Sequence, residues 1–215
     1  MTYPVERPAM ELTPVDGIDL ELYDRGSGEP VVFVHGGSTD ECSAVLQEPA
    51  LDHPDAVHTL ALAEPSLPVE TAEPEVGPAV EAAVQRYMTG DKEGAVRTAF
   101  SAICGPGFDA TFDRILPAGW LERWAADADT LIQHDIPALG SWGFTPEDAA
   151  TIEAPVLNLV GADSAFAAVQ PILQSWIPHA EPVTMPDTAH CIFEVAPRAA
   201  AEHLASFFSR HPLER

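Results

Sequence analysis

The feature that most constrains this chain is the alternation of short apolar runs with amphipathic segments in its last third. Val156-Leu157-Asn158-Leu159-Val160 is an apolar run closed by a turn, Gly161-Ala162-Asp163-Ser164. A helical pattern follows from Phe166 to Trp176, then an extended run from Glu181 to Met185 and an amphipathic pattern from Pro197 to Arg210. Strands that alternate with helices are joined by crossover connections, which set the strands parallel and cover both faces of the sheet. A near-continuous apolar strand fits burial on both faces. The expected class is therefore α/β, with a mostly parallel sheet and flanking helices.

The same rhythm opens the chain. Ala9 to Val15 and Ile18 to Tyr23 flank the turn-forming Asp16-Gly17 and read as an antiparallel hairpin. Val31-Val32-Phe33-Val34 reads as a buried strand, followed by a glycine turn and a capping-box spacing, Ser38 to Glu41, that predicts a helix to about Leu51. His58 to Ala63 reads as another buried strand. Residues 64–77 are rich in Pro and Glu and read as a linker, and the pattern from 78 to 139 is helical, with breaks at Gly90-Asp91, Cys104 to Gly107 and Leu116 to Gly119. Residues 1–77 and 151–215 are thus expected to be two parts of one α/β core, and residues 78–150 a helical, cap-like insertion. Trp120, Trp124, Trp142 and Phe144 are candidates to line an apolar pocket beneath it, although core packing is the expected job of most of them.

Four segments together resemble the α/β-hydrolase family, in particular its small capped esterases, lactonases and epoxide hydrolases. Leu20 to Gly28 followed by Pro30-Val31-Val32-Phe33-Val34-His35-Gly36-Gly37 looks like the family's second and third strands and its oxyanion loop. Leu51-Asp52-His53-Pro54-Asp55-Ala56-Val57 resembles the segment after the nucleophile helix. Ala154 to Asp163 resembles the strand whose exit often carries the acid, and Met185-Pro186-Asp187-Thr188-Ala189-His190 the catalytic-histidine loop. The chain departs from the family between Gly37 and Leu51: two central strands are missing, and with them the G-x-S-x-G nucleophile elbow.

What the resemblance implies about chemistry follows residue by residue. Acyl transfer needs a nucleophile on a sharp turn, an imidazole to take its proton, a carboxylate to hold the imidazole tautomer, and N–H groups aimed at the oxyanion. His190 is the candidate base. Two carboxylates compete to orient it: Asp163, slightly favoured because it leaves the apolar strand in a turn, and Glu64, which leaves the strand at His58 to Ala63. The family's acid more often stands three residues after the glycine, where this chain has Ser164. Ser38, at the strand-to-helix turn, is the candidate nucleophile, with an N-cap role as the competing reading. His35, Gly36 and Gly37 keep the look of an oxyanion loop. Helical metal-ligand spacings are lacking, so no metal and no cofactor is expected.

Composition excludes some partners. With 10 Lys and Arg against 34 Asp and Glu, the net charge of −24 repels phosphate backbones and anionic membranes. At 215 residues one domain is expected. Three cysteines, Cys42, Cys104 and Cys191, without CxxC spacing imply neither a disulfide framework nor a zinc knuckle and fit a reducing cytoplasm. The first residues have no basic segment leading into an apolar one, so secretion is not expected. The expected partner is a small-molecule substrate, and strand edges exposed by the missing strands fit a homo-oligomer. The favoured activity is ester or lactone hydrolysis. The alternatives are a non-hydrolytic epimerase, lyase or cyclase that uses His190 to move protons, and an inactive ligand- or protein-binding relative.

Overall fold

The computed structural model describes residues 11–15, 18–22, 31, 51–65, 67, 76–105, 107–137 and 143–213. They belong to two units, Met1–Val32 and Phe33–Arg215. In the first, β1 (Glu11–Val15) and β2 (Ile18–Leu22) pair antiparallel with Val15 opposite Ile18. That register leaves Asp16-Gly17 between the strands, as the sequence predicts. Val31, the one described residue of the run Val31 to Val34, is exposed and outside any strand. The rest of that run, the glycine turn and the Ser38 segment lie outside the described residues.

The second unit is built on a parallel sheet of β3 (Leu60–Ala63), β4 (Val156–Gly161) and β5 (Glu181–Met185), in the order β3-β4-β5. Every residue of β4 is buried, which accounts for its continuous apolar run. Side chains of a strand point alternately to its two faces, and the core divides accordingly. Leu60, Leu62 and Val156 pack on one face, Ala63, Leu157 and Leu159 on the other.

Helices cover both faces. The α-helices of four or more residues among those described are, in chain order, α1 (Val76–Met88), α2 (Lys92–Cys104), α3 (Phe108–Ile115), α4 (Trp120–Ala126), α5 (Pro146–Ala149), α6 (Val169–Trp176), α7 (Ile192–Val195) and α8 (Pro197–Arg210), of which the last four pack on the sheet. On the first face α6 contributes Val169 and Leu173, and on the second α8 contributes Ala200, Leu204 and Phe207. The sequence pattern starts α6 at Phe166, but the helix begins later. Ser164 Oγ accepts the Phe166 N–H at 3.1 Å, and i to i+3 bonds carry the chain through a turn before helical pairing takes over.

The segment from Val76 to Asp135 folds as helices with breaks where the sequence places them. Asp91 caps α2 by accepting the Gly94 N–H at 2.9 Å, and α2 ends at Gly105, whose φ of +81° suits a residue without Cβ. These helices share a third core made of Val96, Phe100, Phe108, Phe112, Trp120, Leu121 and Ala128. Cys191, the residue after His190, belongs to the same cluster. The side chain that follows the candidate histidine is therefore built into the helical layer.

Among the described residues no helix is long and apolar enough to cross a membrane.

Candidate active site

The site forms where the three parallel strands end. β3 hands the chain to Glu64, which adopts a left-handed backbone with φ of +53°. That region is sparsely used by residues with a Cβ and is found where surrounding contacts hold it. The Glu64 N–H donates to Leu159 O at 2.8 Å, so the backbone remains tied to β4 past the end of β3. Its side chain is only 4% exposed.

Three donors converge on that carboxylate. Oε1 accepts the Gly161 N–H at 2.5 Å, and Oε2 accepts the Ser164 hydroxyl at 2.5 Å. Oε2 is also 3.1 Å from His190 Nδ1. An ionised carboxylate only accepts, so this bond places a proton on Nδ1 and leaves Nε2 as the basic nitrogen of a neutral imidazole. Ser164 is fixed as well, because its oxygen accepts the Phe166 N–H while its proton goes to Glu64. The Phe166 ring lies 5.0 Å from the imidazole, centroid to centroid, and the histidine side chain keeps 17% exposure. The imidazole is held on one side and keeps part of its surface in solvent.

The loop that carries His190 is pinned to the end of β4. Ala162 N–H donates to Met185 O, and Asp163 N–H to Thr188 O, each at 2.9 Å. A Cβ on Gly161 would stand 2.3 Å from Thr188 O and 2.7 Å from Ala189 O, so glycine is what permits this approach. Cys191 then takes a left-handed φ of +62° as the residue before α7.

These positions correct one expectation. Asp163, slightly favoured as the orienting acid, is exposed, and its backbone rather than its carboxylate binds the histidine loop. The carboxylate on His190 is that of Glu64. Trp120 and Trp124, weighed between a pocket and the core, pack edge to face at 5.1 Å within the aromatic core of the helical layer. Trp120 also donates from Nε1 to Asp113 at 2.9 Å. Phe144 is buried in the core beneath the sheet, 5.9 Å from the ring of Trp176. Ser38, His35, Gly36, Gly37 and Trp142 lie outside the described residues. Among the described residues no three His, Cys, Asp or Glu side chains are grouped as metal ligands would be.

Sequence reasoning missed the roles of Ser164, Phe166 and Gly161. A signal for the first was present: a serine stands where the family more often has its acid, so a carboxylate from elsewhere must serve if the histidine is oriented at all. Phe166 and Gly161 carry no comparable signal, since a ring contact and a close backbone approach are made only in three dimensions.

No protein-family model matches the sequence, and no curated protein matches it. Solved structures do match the fold. An α/β hydrolase from Sphaerobacter thermophilus DSM 20745 has a TM-score of 0.57 at 25% identity, covering 75% of this chain and 62% of its own. The enol-lactonase from Burkholderia xenovorans LB400 has a TM-score of 0.60 at 17% identity, covering 76% of this chain and 60% of its own. The carboxylesterase CesB from Bacillus subtilis has a TM-score of 0.55 at 16% identity, covering 76% and 55%. The protein has the α/β-hydrolase fold, with a small, mostly parallel sheet and flanking helices. Its chain spans 55–62% of the length of these three structures.

Proposed function

We propose that the protein is a small-molecule ester or lactone hydrolase in which His190 is the general base and Glu64 its orienting acid. The observation that supports this is the bond from His190 Nδ1 to the buried Glu64 carboxylate. In this reading Nε2 takes the proton of the attacking hydroxyl, that of Ser38 or of a water, as it adds to the substrate carbonyl. The imidazolium so formed keeps its Nδ1–H on Glu64, whose charge stabilises it, and then returns the proton to the leaving alkoxide; where Ser38 attacks, a water deprotonated by Nε2 then cleaves the serine ester, releases the acid and restores the hydroxyl. Ser164 acts as a positioning residue that keeps Glu64 Oε2 in place. Helices within residues 78–150 serve as the cap, and His35, Gly36 and Gly37 supply the oxyanion loop.

The test is turnover of a panel of activated esters and lactones by the purified full chain. His190→Ala is expected to abolish it, and turnover that survives this change refutes the mechanism. Labelling with a fluorophosphonate separates the two attacking groups. Stoichiometric modification of Ser38 assigns it as nucleophile, and histidine-dependent turnover without labelling assigns water.

A further inference from the structure

We propose that Cys104 and Cys191 are a disulfide site, oxidised by low-molecular-weight disulfides, that clamps the histidine loop to the helical layer. Their sulfurs lie 3.9 Å apart, in van der Waals contact, although the residues are 87 positions apart in the chain. A disulfide requires a separation of about 2.05 Å, so about 2 Å of side-chain movement closes the bond. The two ends differ in a way that suits stepwise exchange. Cys191 is 3% exposed and held in a left-handed conformation between His190 and α7. Cys104 is half-buried and is the last residue of α2, just before Gly105. Helix ends are the parts of a helix that open most readily.

The chemistry runs by thiol exchange. The Cys104 thiolate attacks a small disulfide RSSR, forms a mixed disulfide and expels RS⁻. The Cys191 thiolate then attacks the Cys104 sulfur and expels the second RS⁻. Two protein thiols lose two electrons, one RSSR is reduced, and the two thiol protons leave on two RSH. The product joins the end of α2 to the residue directly after His190, so the loop that presents the imidazole is tied to the aromatic core around Phe100 and Trp124. This inference rests on the sulfur geometry and does not depend on the protein being a hydrolase.

The experiment uses the full chain with oxidised glutathione, followed by peptide mapping under non-reducing conditions. A Cys104–Cys191 linked peptide is expected, with two titratable thiols lost and both regained on reduction by dithiothreitol. The imidazole resonance of His190 is expected to shift on oxidation and to return on reduction. Cys104→Ser and, separately, Cys191→Ala are each expected to remove the linked peptide, so failure of one variant to fold leaves the other as the control. Linkage to Cys42 instead, a stable glutathione adduct on Cys104, or three unreacted thiols each overturns the proposal. A linked peptide with an unmoved His190 resonance overturns the clamp.

Discussion

Replacing Glu64 by glutamine keeps the side-chain shape and exchanges one acceptor oxygen for a donor. The carboxylate takes three donors: the Gly161 N–H, the Ser164 hydroxyl and His190 Nδ1. The Gly161 N–H belongs to the end of β4 and cannot turn away, so the remaining amide oxygen faces it. The amide nitrogen is then left against Ser164 and His190. Ser164 already accepts the Phe166 N–H, and its proton must find a new acceptor. His190 must present a bare Nδ1, which moves its proton to Nε2. Three bonds to a charged acceptor, worth about 1.5–3 kcal/mol each, become neutral ones worth about 1 kcal/mol, so Glu64→Gln is expected to cost roughly 1.5–6 kcal/mol. With the wrong tautomer, any turnover that uses Nε2 as a base is expected to fall on the order of 10⁴-fold, as in the serine-protease triad. Nitrogen NMR of histidine-labelled protein reads the tautomer directly, and urea unfolding reads the stability. A variant with its proton still on Nδ1 and an unchanged urea midpoint refutes the reasoning.

Three further changes test the surroundings. Asp163→Asn alters an exposed side chain and is expected to stay within about 0.5 kcal/mol of the parent, with the His190 tautomer intact; an effect as large as that of Glu64→Gln returns the orienting role to Asp163. Gly161→Ala drives a methyl against the backbone oxygens of Thr188 and Ala189, so about 1–3 kcal/mol of stability and the His190–Glu64 bond are expected to be lost; a parental unfolding curve and imidazole spectrum contradict this. The carboxyl of Asp91 is held below its ordinary 3.8, first by the Gly94 N–H and then by Arg86. A depressed acid stabilises fully above its ordinary value and loses that contribution as pH falls through the lowered one. The helical signal of Asp91→Ala is thus expected to lie below that of the parent near neutrality and to converge with it in acid. Circular dichroism that shows no narrowing of the gap as pH falls below the ordinary carboxylate range argues against the cap.

Much of the fold was legible because local pattern and burial agree. Glu181 to Met185 and Pro197 to Arg210 form the strand and helix the sequence predicts, end for end, since alternation and helical amphipathicity are both local. The breaks at Gly90, Gly105 and Gly119 were legible for the same reason: each takes a positive φ where a helix stops or starts. The choice of acid was not legible. Glu64 and Asp163 each leave a strand, and which one reaches the histidine depends on a left-handed backbone at Glu64 and on the hydrogen bonds of the turn. Trp120 and Trp124 show the same limit, because a pair one helical turn apart packs a core or lines a pocket according to what stands opposite. Cys104 and Cys191 meet across 87 positions with no spacing to announce it.

The order β3-β4-β5 makes the use of Glu64 a problem of reach. His190 lies in the loop beyond β5, and strands in a sheet are about 4.8 Å apart, so a carboxylate leaving β3 must cross the end of β4, about 10 Å in all. An acid on β4 has half that distance to cover. Asp163 nevertheless loses, because its N–H is bound to Thr188 O and its side chain is left in solvent. The residue of the β4 exit that does face the histidine's partner is Ser164, whose hydroxyl supplies no charge to hold an imidazolium. Glu64 crosses instead, with one methylene more than aspartate, past Gly161, whose N–H donates to it. The two positions are therefore coupled. Ser164→Asp alone sets a second carboxylate within bonding distance of the first, which favours protonation of one of them and costs stability. Combined with Glu64→Gln, it returns a carboxylate to the β4 exit beside a neutral amide that can donate to it. The double variant is expected to restore the proton to His190 Nδ1 that Glu64→Gln alone removes, as read by nitrogen NMR. A double variant no different from the single one shows that the β4 exit cannot present an acid to this histidine, and that the crossing from β3 is not an exchange of positions.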